Sequence, residues 1–276
     1  MRLPDSEAVI AIMEAVAREV IMPRFRDLAK SEVREKGPGD VVTVVDELSE
    51  ARLTAELAAL LPGSVVVGEE AAAIDPAVLE RISGDRPVWI VDPLDGTANF
   101  AGGIERFAMI VALAVGGQTV AGWIHDPNTG RTGWAVAGEG GAIDGEPLKV
   151  AAPAPLEAMT GFVSGPKYSG AHWPRLKALR DRLASGHNLR CAGIEYLGLA
   201  SGQAHLTIPV RLMPWDHAAG VLMHREAGGY GAMLDGSAYA PSRLEGMLIL
   251  APDEATWRQV RDWVMQGPDG GAAGQG

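Results

Sequence analysis

The stretch Trp89-Ile90-Val91-Asp92-Pro93-Leu94-Asp95-Gly96-Thr97-Ala98-Asn99-Phe100 decides how this 276-residue chain is read. Val88 to Val91 is an unbroken apolar run, the pattern of a strand buried on both faces. It delivers two acids, Asp92 and Asp95, and then a Gly-Thr pair. Alone, an Asp-Pro-x-Asp-Gly run is a turn, because every one of its residues is a turn former. Its companions change the reading. Glu69-Glu70 directly follow a second short apolar run, Val65 to Val67, and Asp216 follows Trp215 at the start of an apolar helical pattern. Three acidic signatures thus stand at strand-to-helix transitions, where layered α/β structures gather ligands.

Carboxylates brought together repel one another unless they hold a cation. His217 and His224 are seven apart, and no His or Cys pair has metal-ligand spacing, so the donor set is hard oxygen and points to Mg²⁺ in preference to Zn²⁺. Two such ions, roughly 3.5–4 Å apart, clamp both oxygens of a phosphoryl displacement. Gly96 and Thr97 add an anion site: a glycine lets the backbone approach closely, and the amides at a helix start point outward. The Thr97 hydroxyl, held by a carboxylate, is placed to orient an attacking water.

Composition agrees. Hydrophobic residues are 47% and charged residues 21%, which supplies a large core for one domain or two packed halves. Lys+Arg is 24 against Asp+Glu 35, a net charge of -11 that argues against nucleic-acid or anionic-membrane partners. An anionic ligand then needs a local inversion of the field, which bound divalent cations supply. The one cysteine, Cys191, has no intrachain partner and fits a reducing compartment. The N-terminus lacks a secretory pattern, and no apolar run approaches the roughly 18–20 residues of a membrane span. The expectation is a cytoplasmic protein.

Along the chain, the spacing of Val9, Ile12, Met13, Val16 and Val20 predicts a helix capped by Asp5 or Ser6 and kinked or ended by Pro23. Lys36 to Asp40 reads as a turn, Val41 to Val45 as a β-rich stretch, and a helix follows through Leu60. A weaker helix is predicted over 77–82 and an antiparallel meander over 106–136. Helices are predicted over 174–183, 194–201, 216–227 and 253–265, and strands at 162–163, 204–208 and 247–250. The glycine-rich residues 267–276 read as a disordered tail.

The quoted stretch closely resembles the first signature of the inositol monophosphatase family, whose members are Mg²⁺-dependent, lithium-sensitive phosphatases. Trp215-Asp216-His217-Ala218-Ala219-Gly220, with Glu226-Ala227-Gly228-Gly229 downstream, is similar to the second. Gly68-Glu69-Glu70 and the segment from Asp40 to Asp46 fall in the family's order, so the resemblance spans about residues 10–250. It implies a mixed α/β and α+β fold, an αβαβα layered sandwich, usually a homodimer. The implied halves are 1–145, with most metal ligands, and 146–266, with substrate-selecting residues and Asp216.

The resemblance also implies roles. Glu69, Asp92 and the Leu94 carbonyl hold a first Mg²⁺; Asp92, Asp95 and Asp216 hold a second; Glu69 helps hold a weaker third. Asp46 polarises Thr97, which with Glu69 activates the water, and Gly96 and Thr97 grip the phosphate. Gly193 and Asp216 face the substrate, a small phosphorylated metabolite such as an inositol, sugar or polyol phosphate, and Glu195 is read as this chain's own substrate-facing carboxylate. Histidinol phosphate and 3′(2′),5′-bisphosphate nucleotides are the alternatives on the same fold.

Plainer readings compete for single residues: Asp46 and Asp216 as N-caps, Glu70 as a residue behind the metal ligands or a solvated charge, Lys36 as a mobile-loop residue that approaches the phosphate or a solvated charge, Glu195 as a solvated helix-start residue, and His217 as a first-turn helix residue. The chain departs from the inositol enzymes at Pro209, seven residues before Asp216, where they carry a Glu that contacts ring hydroxyls. A second departure is Gly193-Ile194-Glu195-Tyr196, where they carry a Gly-Thr/Ser-Ala run. A haloacid-dehalogenase-type mechanism needs aspartates separated by one residue before Gly-Thr, and here the separation is two. A non-catalytic binding protein on the same fold is the remaining rival.

Overall fold

Asp5 accepts a hydrogen bond from the Glu7 amide and opens α1 (Ser6–Val16), which turns Val9, Met13 and Val16 inward. The computed structural model describes residues 3–37 and 40–267. After α1 the chain widens over Ala17–Ile21 and tightens into a 3-10 turn, Met22–Arg24, at Pro23, which has no amide proton to continue the helix. β1 (Val33–Gly37) and β2 (Asp40–Thr43) form a two-stranded antiparallel ribbon, so part of the predicted turn is strand; Pro38 and Gly39 lie outside the described residues. The predicted tail lies outside them too, from 268 onward.

α2 (Val44–Leu60) starts one turn earlier than an Asp46 cap would allow. Thr43 is the N-cap, and Asp46, the third helical residue, reaches back to the Thr43 amide in a capping box. β3 (Val65–Gly68) leads into the short α3 (Glu69–Ile74), and the helix expected over 77–82 is a 3-10 segment, Pro76–Ser83. Then come β4 (Val88–Asp95), α4 (Thr97–Ala101), β5 (Ala108–Val115), β6 (Gln118–His125), β7 (Thr132–Val136), β8 (Gly140–Ile143) and β9 (Glu146–Pro147). They make a seven-stranded sheet in the order β3 to β9, with β3 parallel to β4 and the rest antiparallel. The predicted meander therefore continues two strands further.

The second half holds β10 (Thr160–Val163), α5 (Pro166–Ser169), α6 (Trp173–Arg182), β11 (Ser185–His187), α7 (Ala192–Ala200), β12 (Leu206–Ile208), α8 (Pro214–Glu226), β13 (Tyr230–Met233), β14 (Leu248–Ala251) and α9 (Glu254–Gln266). Its five-stranded sheet has the order β11-β10-β12-β14-β13, with β11, β10 and β12 mutually parallel. α1 and α2 cover the outer face of the large sheet, where Trp89 and Trp123 pack with ring centroids 5.9 Å apart. α7 and α8 fill the space between the sheets, and α6 and α9 cover the small sheet. The layers run αβαβα, as expected.

Two parallel sets follow from this topology. β3 and β4 end at one edge of the large sheet, and β10, β11 and β12 end at one edge of the small sheet. The segments leaving both edges line the same cleft.

Candidate active site

The cleft encloses about 420 Å³. Its large-sheet side is acidic. β3 hands over Glu69 at the first turn of α3, and a buried carboxylate from α2 fixes that turn. Glu50 accepts the amides of Glu70 at 2.7 Å and Ala71 at 2.8 Å. Gly68 makes room for it, since a Cβ there would stand 2.2 Å from the Glu50 carboxyl carbon. β4 hands over Asp92 and Asp95, between which its pairing with β5 slips register. That slip lets Asp92 accept the Leu94 amide at 3.0 Å.

Gly96 takes φ +86°, and a side chain there would meet the Arg106 carbonyl at 2.8 Å, so only glycine turns β4 into α4. One Asp95 oxygen is tied up by the Gly193 amide at 2.6 Å and the Cys191 thiol at 3.1 Å, which orients the other. Asp216 sits in the first turn of α8; Pro214 starts that helix and Met213 occupies the cap position, so Asp216 is not the cap.

Burial raises the Asp92 and Asp216 carboxyls well above the carboxylate range, and repulsion from neighbouring acids adds to it. Asp92 feels Glu69, Asp95 and Asp216 in turn. Asp95 is pushed up to about 6, mainly by burial, against the stabilising Gly193 amide. Among the described residues, no three His, Cys, Asp or Glu side chains close into a ready ion cage. The donors approach from separate elements instead. All are oxygens, and they penalise one another's charge, which is what a shared cation relieves. A hard ion that keeps several waters and takes few carboxylates fits such a set. The residues present therefore fit Mg²⁺.

Thr97 and Asp46 are brought together. The Thr97 hydroxyl lies 2.8 Å from Asp46 Oδ1 and 3.0 Å from the Leu94 carbonyl. Asp46 Oδ2 accepts from the Thr43 amide at 2.8 Å and the Thr43 hydroxyl at 2.6 Å. Burial pushes Asp46 up to about 6 despite these donors. Lys36 and Glu70 are not solvated. Lys36 Nζ lies 2.7 Å from Glu70 Oε1 and 3.3 Å from Glu69 Oε1, and Glu70 is buried.

The substrate-facing expectations divide. Glu195 lines the cleft, accepts the Leu189 amide at 2.9 Å, and is pushed up to about 8 by desolvation, so it is not a solvated helix-start residue. Gly193 is not among the cleft-lining residues; its amide serves Asp95. Pro209 and His217 line the cleft. Sequence reasoning missed Glu50, Lys167, Arg190 and Arg211. The three cations line the cleft from the small-sheet side, and no local motif marks them.

The sequence model of the inositol monophosphatase family matches residues 5–262. The inositol-1-monophosphatase of Mesorhizobium japonicum is 35% identical over 240 residues, covering 86% of this chain and 87% of that protein. The Nus factor SuhB of Haemophilus influenzae is 32% identical over 242 residues, with 86% and 87% covered. Among solved structures, the Thermotoga maritima IMPase superposes with a TM-score of 0.80 at 25% identity, covering 94% of this chain and 95% of that one. With the signature residues assembled in one cleft and the match running nearly end to end, this chain belongs to the inositol monophosphatase family and is a phosphatase, a phosphoric monoester hydrolase.

Proposed function

We propose that the protein is a Mg²⁺-dependent phosphomonoesterase that hydrolyses a small phosphorylated metabolite, an inositol, sugar or polyol phosphate, by direct attack of an activated water. The observation that carries this reading is the mutual crowding of Glu69, Asp92, Asp95 and Asp216 beside the Thr97–Asp46 pair. Glu69, Asp92, the Leu94 carbonyl, Asp95 and Asp216 would hold two or three Mg²⁺ ions. When bound, the metal supplies charge neutralisation at the phosphoryl oxygens and acidifies the attacking water.

The chain's own residues do the rest. Asp46, anchored at one oxygen by Thr43, takes the Thr97 hydroxyl proton in a hydrogen bond. That leaves the Thr97 oxygen lone pairs to receive a proton of the attacking water, and Glu69 shares the task. The Gly96 and Thr97 amides face the phosphoryl oxygens. The half 1–145 supplies Glu69, Asp92 and Asp95, and the half 146–266 supplies Asp216 and the opposite wall. A homodimer, lithium sensitivity and a cytoplasmic setting belong to the same reading and rest on the resemblance. Among the described residues no helix is long and apolar enough to cross a membrane.

Several relatives carry the name Nus factor SuhB, which raises a second reading, a binding role without turnover. The retained carboxylates and the intact Thr97–Asp46 pair support turnover. Phosphate release from a panel of inositol, sugar, histidinol and nucleotide phosphates, with Mg²⁺ and with EDTA, tests it. Release with Mg²⁺ alone is expected; no release from any of them overturns the hydrolytic reading.

A further inference from the structure

Beside α4 the two halves meet through one short segment. Residues 188–191 connect β11 to α7 and lie flat against the turn that carries Thr97. A Cβ at Gly96 would stand 3.3 Å from the Cys191 Cβ and 3.4 Å from the Arg190 carbonyl. This part of the chain also holds a carboxylate of the acidic side. The Gly193 amide and the Cys191 thiol both go to Asp95 Oδ2. How firmly residues 188–193 stay in place therefore decides which Asp95 oxygen is left for a cation.

Asn99, in α4 two residues after Thr97, is buried and reaches that segment. Its Nδ2 donates toward three backbone carbonyls, Arg106 at 2.9 Å, Leu189 at 3.1 Å and Arg190 at 3.3 Å. Carbonyls only accept, so three of them around one atom fix which way the side-chain amide points. Glu195 accepts the Leu189 amide from the other side, and Asn188 takes the Arg190 amide at 3.0 Å. Arg190 needs this grip. Its φ of +56° lies where a non-glycine residue persists only if its surroundings over-determine it. Among the described residues, side chains of the first half hydrogen-bond residues 188–193 at Asn99 and at Asp95. The two differ in kind: Asp95 answers to charge, whereas the Asn99 grip is neutral and needs no metal.

We propose that Asn99 is a positioning residue, a metal-independent clasp that keeps residues 188–193 of the second half in register with the first. Held so, the Gly193 amide occupies Asp95 Oδ2 and leaves Oδ1 for the ion that Asp95 would share with Asp216. This rests on the metal assignment above. The apolar packing of α7 and α8 between the sheets presses the halves together, but such contacts have no direction. A hydrogen bond to a fixed carbonyl has one, and it sets the register. Linkage makes the coupling reciprocal: a closed clasp favours the ion, and the ion favours the closed clasp by the same factor.

Cys191 is the one cysteine of the chain and is 2% exposed, so alkylation of its thiol reports how often the segment opens. The test measures iodoacetamide labelling of Cys191 at one pH, with EDTA and with Mg²⁺, and Mg²⁺ affinity by calorimetry. In wild type, Mg²⁺ is expected to slow labelling at least threefold. Asn99→Ala is expected to label about tenfold faster than wild type in EDTA, the equivalent of one net hydrogen bond, and to bind Mg²⁺ about tenfold more weakly. Asn99→Ser, which keeps one shorter donor, is expected midway in both and decides alone if Asn99→Ala does not fold. Asp253→Ala, which uncaps α9 away from the cleft, is the control for lost stability. It is expected to unfold at lower urea yet stay within twofold of wild type in labelling and Mg²⁺ affinity. Wild-type labelling in the Asn99 variants, faster labelling with unchanged Mg²⁺ affinity, or an Asp253→Ala protein that labels as fast as Asn99→Ala overturns the proposal. If wild type takes up no Mg²⁺, the metal reading fails, and the labelling ratio in EDTA alone upholds or overturns the clasp.

Discussion

Thr97 and Asp46, 51 residues apart, meet with the hydroxyl 2.8 Å from a carboxylate that is also the capping-box acid of α2. One side chain therefore both fixes a helix start and orients the Thr97 hydroxyl. Thr97→Val keeps the volume and removes the hydroxyl, and turnover is expected to fall about 10²-fold or more. Asp46→Asn is expected to cost activity and, through the cap, about 1 kcal/mol of stability. Steady-state kinetics with urea unfolding checks both; a Thr97→Val enzyme within threefold of wild type would remove Thr97 from the mechanism.

Asp92 stands amid Glu69, Asp95 and Asp216, so its charge costs the fold stability when no cation offsets it. Asp92→Asn should leave the metal-free protein as stable as wild type or more so. It should also abolish most of the rise in Tm that Mg²⁺ gives by mass action and lower turnover by about 10³-fold, several kcal/mol of transition-state stabilisation. Thermal unfolding with and without Mg²⁺ separates the effects. An undiminished Mg²⁺ shift in the variant contradicts the ligand assignment.

Glu195 has its pKa pushed up to about 8, so at pH 7 it is mostly the neutral acid, and its Oε1 holds the Leu189 amide. Gln reproduces that state in size, charge and acceptor, whereas Ala frees the loop that carries Leu189 and Arg190 along the cleft wall. Glu195→Gln is expected to keep the ranking of phosphomonoester substrates within about threefold, and Glu195→Ala to reorder it by about tenfold, the cost of one lost hydrogen bond to a buried amide. A substrate panel at pH 7 decides; indistinguishable Gln and Ala profiles would remove Glu195 from a positioning role.

The acidic side of the cleft was legible because its information is local. Val88 to Val91 is apolar at every position, so the strand and the acids it delivers are read together, and the same holds for Val65 to Glu69. The basic side was not legible. Lys167, Arg190 and Arg211 lie on three separate segments, and only the parallel pairing of β10, β11 and β12 brings them to one edge. β1 was hidden by the charges of Arg34-Glu35-Lys36, which belong to a two-stranded ribbon with little apolar alternation. β8 and β9 were hidden by glycines and Pro147. The ends of α2 and α8 moved because Thr43 and Pro214 outcompete Asp46 and Asp216 for the start of each helix.

Glu50 carries no motif, yet it satisfies two amides at the start of α3, directly behind Glu69. Glu50→Ala would leave both amides without an acceptor and is expected to cost about 1–3 kcal/mol in urea unfolding. Because Glu69 rides on that turn, the Mg²⁺-dependent rise in Tm should shrink as well. Lost stability with a full Mg²⁺ response would make Glu50 a helix cap alone.

His224 is buried on α8 with Nε2 unpartnered, and burial lowers its pKa from 6.5 to about 4. A histidine whose folded pKa lies below its unfolded value takes up a proton on unfolding, so acid favours the unfolded state. Its contribution is intact above pH 6.5 and is lost as pH falls toward 4, up to about 3 kcal/mol at the lower end. Carboxyls with raised values, such as Asp95 and Glu195, act in the opposite sense over part of this range, so the wild-type curve alone does not isolate the term. The difference between wild type and His224→Phe does. Urea unfolding of both proteins at pH 7.5, 6 and 5 is expected to show the variant gaining on wild type at each step down, with no comparable change between pH 7.5 and 8.5. Parallel curves from pH 7.5 to 5 would show that His224 keeps an ordinary pKa in the folded protein.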